Sequence, residues 1–215
     1  MRRTEGASRK IADRRRTIME TAFRLFSENS IDAVSMQRIA DESGVSFATM
    51  YRYFESKLAL VVEIGTWQWA EITGEDSAFS IRAAENGLTG AQCFEQYLDR
   101  YILLYHARRD LLRFNQFFNV YVAHEEHAPE MLKPYMDMID RFAARFHAIY
   151  ERGVSDGTLR ADVPEREMFA GTLHIMMATA TRYAVGLVYM PEGSAPDREL
   201  TQLKDMMLRE YAARQ

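Results

Sequence analysis

Residues 35–57, SMQRIADESGVSFATMYRYFESK, constrain this chain more than any other stretch. They read as two short helices joined by a tight turn, followed by the start of another. Ser35 suits the N-cap of the first, because its hydroxyl can accept a bond from a free backbone N–H two or three residues on. Met36, Ile39 and Ala40 give that helix a small apolar face. Gly44 then ends it, since glycine takes the left-handed conformation without steric cost. Val45 is an apolar plug after the turn, and Ser46 caps a second helix carrying Phe47 to Tyr53. Two helices joined by a short glycine-containing turn, with small Ala40 where they cross, form a helix-turn-helix. In that motif the second helix enters the DNA major groove and the first crosses the backbone.

The run Tyr51-Arg52-Tyr53-Phe54-Glu55-Ser56-Lys57, with Ile39-Ala40 and Gly44-Val45-Ser46 upstream, resembles the DNA-binding domain of the tetracycline-repressor (TetR) family. The resemblance covers residues 10–62 closely; beyond them it extends only to length and an all-helical pattern. Three departures stand out. Asn29 and Ser30 replace the usual glycine after the first helix, with Asn29 expected to take the left-handed conformation there, and Leu58-Ala59 stand where relatives often continue with Glu. Phe47 stands where many relatives are polar.

The net charge of −4 is unevenly spread. Residues 1–57 hold 11 Lys/Arg and 8 Asp/Glu, a net of +3; the remainder holds 27 − 11 = 16 basic and 31 − 8 = 23 acidic residues, a net of −7. Positive charge at the helix-turn-helix end is expected when one domain alone meets phosphate. The division expected is 1–57, a DNA-binding domain with a basic N-terminal arm, and 58–215, a helical ligand-sensing and dimerisation domain.

Residues 1–10 are polar and aperiodic, and read as a mobile arm. With Arg14, Arg15 and Arg16 they make a basic cluster that either follows the DNA backbone or minor groove, or is a solvated tail. Ile11 to Glu28 is the first helix, with Ile18, Ala22, Leu25 and Phe26 as its core face. Ser56 caps a fourth helix running to Thr73, and Gly74 to Gly87 is a polar connector. Thr89 caps the next helix, which bends at Arg108 to Asp110 into another. Pro129 opens a long helix to Gly153, with Pro134 delaying its start or kinking it. Pro164 opens one more, to Gly186, and residues 197–213 form the last. No stretch alternates convincingly, so the fold class is all-α without a sheet. No apolar run is long enough to span a membrane. The N-terminus lacks the apolar segment of a secretory signal. With Cys93 as the only cysteine, a reducing, cytoplasmic setting is expected.

In the recognition helix, Ser46, Phe47, Ala48 and Thr49 should face base edges. Phe47 and Ala48 suit thymine methyls, and Thr49 suits a base or a phosphate. Phe47 alternatively packs against the first helix. By the resemblance, Tyr51, Tyr53 and Lys57 are phosphate contacts, which fix register without reading sequence. Ser35 and Gln37 are candidates for the same role; Arg52 is either a phosphate contact or a solvated surface residue.

By the same resemblance the second domain binds a small molecule that shifts the two DNA-reading heads of a homodimer. Candidate ligand residues are Trp67, Tyr97, Tyr101, Tyr105, Phe117, Tyr121, Met136, Phe142, His147 and Met177, since aromatics and methionines line adaptable apolar pockets. The same stripes also serve as ordinary core. The ligand expected is sizeable and largely apolar, and cationic if several aromatic faces surround it. Dimerisation candidates are Phe169, Leu173, Met176, Ala180, Tyr183, Leu187, Leu200, Leu203 and Met207, with internal core as the alternative. A two-fold dimer would match a pseudo-palindromic operator in double-stranded DNA.

His124-Glu125-Glu126-His127 has i, i+3 spacing rather than the i, i+4 of a catalytic zinc helix, and reads as a solvated helix end rather than a metal site. Cys93 reads as a small buried hydrophobe rather than a redox sensor. No cofactor and no enzyme are expected, because no GxSxG, Walker loop or dinucleotide glycine pattern occurs. The function expected is ligand-responsive transcriptional regulation, with repression foremost. An activator, or a small-molecule binder without specific DNA affinity, is the alternative.

Overall fold

The computed structural model describes residues 2–74, 87–186 and 195–213, and for residues 2–8 the backbone alone. Its described elements are α1 (Arg2–Asn29), α2 (Met36–Glu42), α3 (Phe47–Tyr53), α4 (Lys57–Thr73), α5 (Gly90–Ala107), α6 (Arg109–His124), α7 (Pro129–Ser155), α8 (Glu165–Val185) and α9 (Pro196–Tyr211). Among the described residues no strand occurs; Leu159 and Ala212 form one isolated antiparallel bridge. The all-α expectation therefore stands. The chain divides into two compact units, Met1–Gln68 with Arg113–Tyr135, and Trp69–Leu112 with Met136–Gln215. The first holds the helix-turn-helix but runs past residue 57, into α4, and takes in most of α6.

Local chemistry sets most helix ends. Ser35 Oγ accepts from Arg38 N at 3.1 Å and Ser46 Oγ from Thr49 N at 3.2 Å. Ser56 Oγ accepts from Ala59 N at 3.0 Å, so α4 keeps its cap despite Leu58 and Ala59. Thr89 and Gln92 form a reciprocal capping box, which satisfies two orphan donors at once. Arg108 breaks the helix between α5 and α6 where a bend is expected. Pro134 lies in the second turn of α7, where it cannot donate to the carbonyl of Glu130, and the helix runs on through it.

Two expectations are corrected. The polar arm before Ile11 is helical: α1 begins at Arg2. Arg2 to Lys10 lack proline, and five of the nine residues are Arg, Lys or Glu, good helix formers, so the helix extends through Gly6 without an apolar face. The left-handed residue after α1 is Ser30 (φ 73), not Asn29. Asn29 stays helical and its Nδ2 donates to Leu25 O at 3.1 Å. The connector between Gly74 and Gly87 lies mostly outside the described residues.

In the first unit Ile18, Ala22, Leu25 and Phe26 of α1 are fully buried with Ile39, Ala40 and Met50. This core fixes α3 by its single buried residue, Met50, and leaves the rest of that helix free to face outward. In the second unit α5, α8 and α9 pack together. The start of α5 meets the end of α7 so closely that a Cβ on Gly90 would fall 2.1 Å from Gly153 Cα. There Asp156 accepts from Gly90 N at 2.7 Å and Thr158 Oγ1 from Ala91 N at 3.0 Å.

Candidate nucleic-acid interface

Turn chemistry positions the recognition helix. Gly44 sits at φ 69, and Val45 N donates to Ala40 O at 3.0 Å, folding the chain back so that buried Val45 plugs the turn. The N-cap Ser46 and, from α3, Phe47, Ala48, Tyr51 and Arg52 are then presented to solvent. Phe47 is 44% exposed and Tyr51 45%, and their rings meet edge to face at 4.9 Å. Phe47 is thus held by Tyr51 and does not pack into the core, against the alternative reading. Such a pair rigidifies an apolar surface suited to thymine methyls.

Polar candidates are partly engaged within the motif. Ser46 Oγ donates to Thr49 Oγ1 at 2.9 Å, which leaves the half-buried Thr49 hydroxyl its own proton to donate. Gln37 Nε2 donates to Asp41 at 2.7 Å. Ser35 is exposed, and its oxygen accepts the cap bond. Arg52 lies 5.9 Å from the ring of half-buried Tyr53. Lys57 departs from the others. Its ammonium lies 5.2 Å from the Tyr121 ring and 6.0 Å from Phe26, and burial pulls its pKa down. A phosphate contact by Lys57 would require it to leave this aromatic seat.

Three arginines that the sequence did not single out as structural brace the motif. Arg15 donates from Nε to Glu63 at 2.8 Å and to Tyr53 O at 3.2 Å, with its guanidinium 4.7 Å from the Phe54 ring. It fixes the end of α3 rather than joining a basic arm. Arg24 and Arg38 both donate to Glu42, at 2.6 and 3.0 Å, and these bonds hold the Glu42 carboxyl below its ordinary range. The i, i+4 spacing of Arg38 and Glu42 was a signal in the sequence; the reach of Arg24 across helices was not.

The ligand candidates are divided between the two units. Trp67, Phe117 and Tyr121 belong to the first unit, and Tyr97, Tyr101, Tyr105, Met136, Phe142, His147 and Met177 to the second. Tyr97, Tyr101 and Tyr105 are buried on one face of α5, while Met136 and His147 are exposed. His147 Nδ1 lies 2.8 Å from Glu165, as its helix position faces water rather than core. Of the dimerisation candidates, Met176, Ala180 and Leu200 are fully buried and Met207 nearly so, spent on the chain's own core. Phe169, Leu173, Tyr183 and Leu203 are half-buried, and Leu187 lies outside the described residues. Ile175, Val185 and Met206 instead keep large apolar surfaces exposed on α8 and α9. Cys93 is buried, and burial pushes its thiol pKa up. His124 Nδ1 meets Val120 O at 2.7 Å.

No described helix is long and apolar enough to cross a membrane. Residues 18–64 match the family described as bacterial regulatory proteins, tetR family. An HTH-type transcriptional regulator of Staphylococcus aureus strain USA300 is 42% identical over 45 residues, 21% of this chain and 24% of that regulator. The chain thus matches about a quarter of the length of that relative. Over nearly the whole chain the fold is shared with solved structures of low identity. A putative transcriptional regulator from Saccharomonospora viridis in complex with choline is 19% identical at TM-score 0.75, covering 94% of this chain and 100% of that one. The transcriptional regulator FadR from Bacillus subtilis in complex with stearoyl-CoA is 13% identical at TM-score 0.68, covering 89% and 96%. The match to the tetR family of bacterial regulatory proteins thus falls on residues 18–64, the helix-turn-helix and the helices that flank it.

Proposed function

We propose that the protein is a homodimeric repressor that releases a pseudo-palindromic operator when a sizeable, largely apolar small molecule binds its second unit. The observation that carries the DNA side is the outward first turn of α3, capped by Ser46 and bearing the Phe47–Tyr51 pair. It offers base-reading chemistry on a helix whose back is anchored by Met50. Ser35, Tyr53 and Lys57 would fix register on phosphate. The effector side is supported by the fold shared with one regulator in complex with choline and another with stearoyl-CoA. The dimer is supported by the exposed Ile175, Val185 and Met206. Effector and operator affinities should be linked, each lowering the other by the same factor.

Selection of sites from random duplex DNA at near-physiological salt tests this. Enrichment of a two-fold symmetric site is the expected result. Absence of any enriched sequence would instead favour a small-molecule binder without specific DNA affinity, and transcription that rises with operator occupancy would favour an activator.

A further inference from the structure

α5 and α7 meet along an aromatic seam in the second unit. Tyr97 packs on Phe146 at 5.3 Å, and Phe94 meets the same ring at 6.1 Å. One turn earlier on α7, Phe142 meets Trp69 at 5.8 Å. Arg100 stands one turn beyond Tyr97, and Arg145 stands next to Phe146; both are half-buried. Burial and the neighbouring Arg145 charge pull the Arg100 guanidinium down to about 10.

Among the described residues neither arginine has a carboxylate partner. No Asp or Glu stands three or four residues from either on its own helix. The acids that α5 does offer on this stretch, Glu95 and Asp99, are taken by Lys204 at 3.3 and 2.8 Å. Nor do the tyrosines neutralise the pair. Burial raises both, Tyr97 to about 12, so they remain phenols. Their hydroxyls are 2.8 Å apart. One donates to the other, which leaves one phenolic proton without an acceptor among the described residues. Trp69, 5% exposed, likewise has an indole N–H without a partner. Among the described residues, donors therefore exceed acceptors on this seam, and two like charges share it without a counter-ion. That arrangement costs free energy in the empty protein. A bound oxyanion supplies the missing acceptors and the missing charge.

We propose that the α5–α7 seam, through Arg100, Arg145 and the Tyr97–Tyr101 hydroxyl pair, binds the oxyanion head of an amphipathic effector, a carboxylate on an apolar body. Aromatic faces alone would suit a cation, but two guanidinium groups repel one. The proposal rests on reading the second unit as effector-sensing, and it narrows that reading to anionic effectors.

The test is titration of the full chain with dodecanoate, dodecanol and dodecyltrimethylammonium, followed by tryptophan fluorescence and calorimetry below the aggregation limit of each. Dodecanoate should bind at least about tenfold tighter than dodecanol, as a charge-assisted pair implies. Arg100→Gln and Arg145→Gln should each erase that preference and leave dodecanol binding unchanged. Thermal unfolding of each unliganded variant should be unchanged or higher, because an uncompensated charge is removed; a purely structural arginine would lower it. Equal or tighter binding of dodecanol or the ammonium, no binding of dodecanoate, or full dodecanoate affinity in both variants would overturn the proposal. Operator release is scored separately by mobility shift. Release by the ammonium without dodecanoate binding sinks the anion assignment alone; dodecanoate binding without release sinks the repressor reading alone.

Discussion

The turn at Gly44 and the helix crossing at Gly90 both depend on glycine, for opposite reasons. Gly44 takes φ 69 with nothing within 4 Å of where a Cβ would stand. Gly90 is the first residue of α5, and its missing Cβ makes room for the backbone of Gly153. The first is a conformational requirement written into five or six adjacent residues. The second is a packing requirement between residues far apart in the chain. Gly44 serves the unit that holds the helix-turn-helix, and Gly90 serves the second unit.

The largest expected effect breaks the comparison at its packing side. Gly90→Ala forces backbone to move at the α5–α7 crossing, and should cost about 3 kcal/mol or more in urea unfolding. Gly44→Ala meets no atoms and should cost only about 1–2 kcal/mol, the strain of a left-handed alanine. Equal losses in the two variants would show that the crossing relaxes freely and that the contrast is false.

The same contrast explains what the sequence disclosed. The caps at Ser35, Ser46, Ser56 and Thr89 and the break at Arg108 are short-range devices, and each is legible because donor and acceptor lie within four residues. Apolar spacing on α1 likewise announces its buried face. The fate of Arg15 was not legible, since Glu63 and Tyr53 reach it only once α1, α3 and α4 have packed. The aromatic stripe of α5 announced burial but not what its polar tips would meet. That Arg100 and Arg145 share a seam depends on the crossing set at Gly90 and Gly153, which no local pattern encodes. The dimerisation candidates failed to separate core from surface for a related reason. A helix with small and apolar residues on several faces, such as α8, does not say which face its own chain covers.

On the DNA side, Phe47→Ala should lower specific affinity by about 1–2 kcal/mol while random-DNA affinity and thermal stability barely change. An exposed ring held by Tyr51 has little folding role to lose. Fluorescence anisotropy on the selected site and on a scrambled duplex gives both numbers, and an equal loss on each would return Phe47 to a backbone or packing role. Ser46→Ala is expected to act more weakly, at about 1 kcal/mol of unfolding free energy, because it removes one cap bond from a seven-residue helix. Its effect on operator affinity should exceed its effect on stability, since Thr49 loses the neighbour that orients its hydroxyl.

The smallest effect tests a surface contact between two helices of the second unit, His147 of α7 with Glu165 of α8. The Glu165 hydrogen bond raises the His147 pKa above its ordinary 6.5. A group that binds its proton more tightly when folded adds stability that is fully present below about pH 6.5. That contribution fades as pH rises through the raised folded value. Because both groups are at the surface, salt should weaken it. An NMR titration of the His147 ring should therefore show an elevated midpoint, which Glu165→Gln returns toward 6.5. The unfolding midpoint of His147→Gln should converge on that of the parent chain as pH rises past that titration. A His147 midpoint insensitive to Glu165→Gln would mean that the pair does not persist in solution. It would also mean that a contact between separate helices holds less firmly at this surface than the caps around the helix-turn-helix.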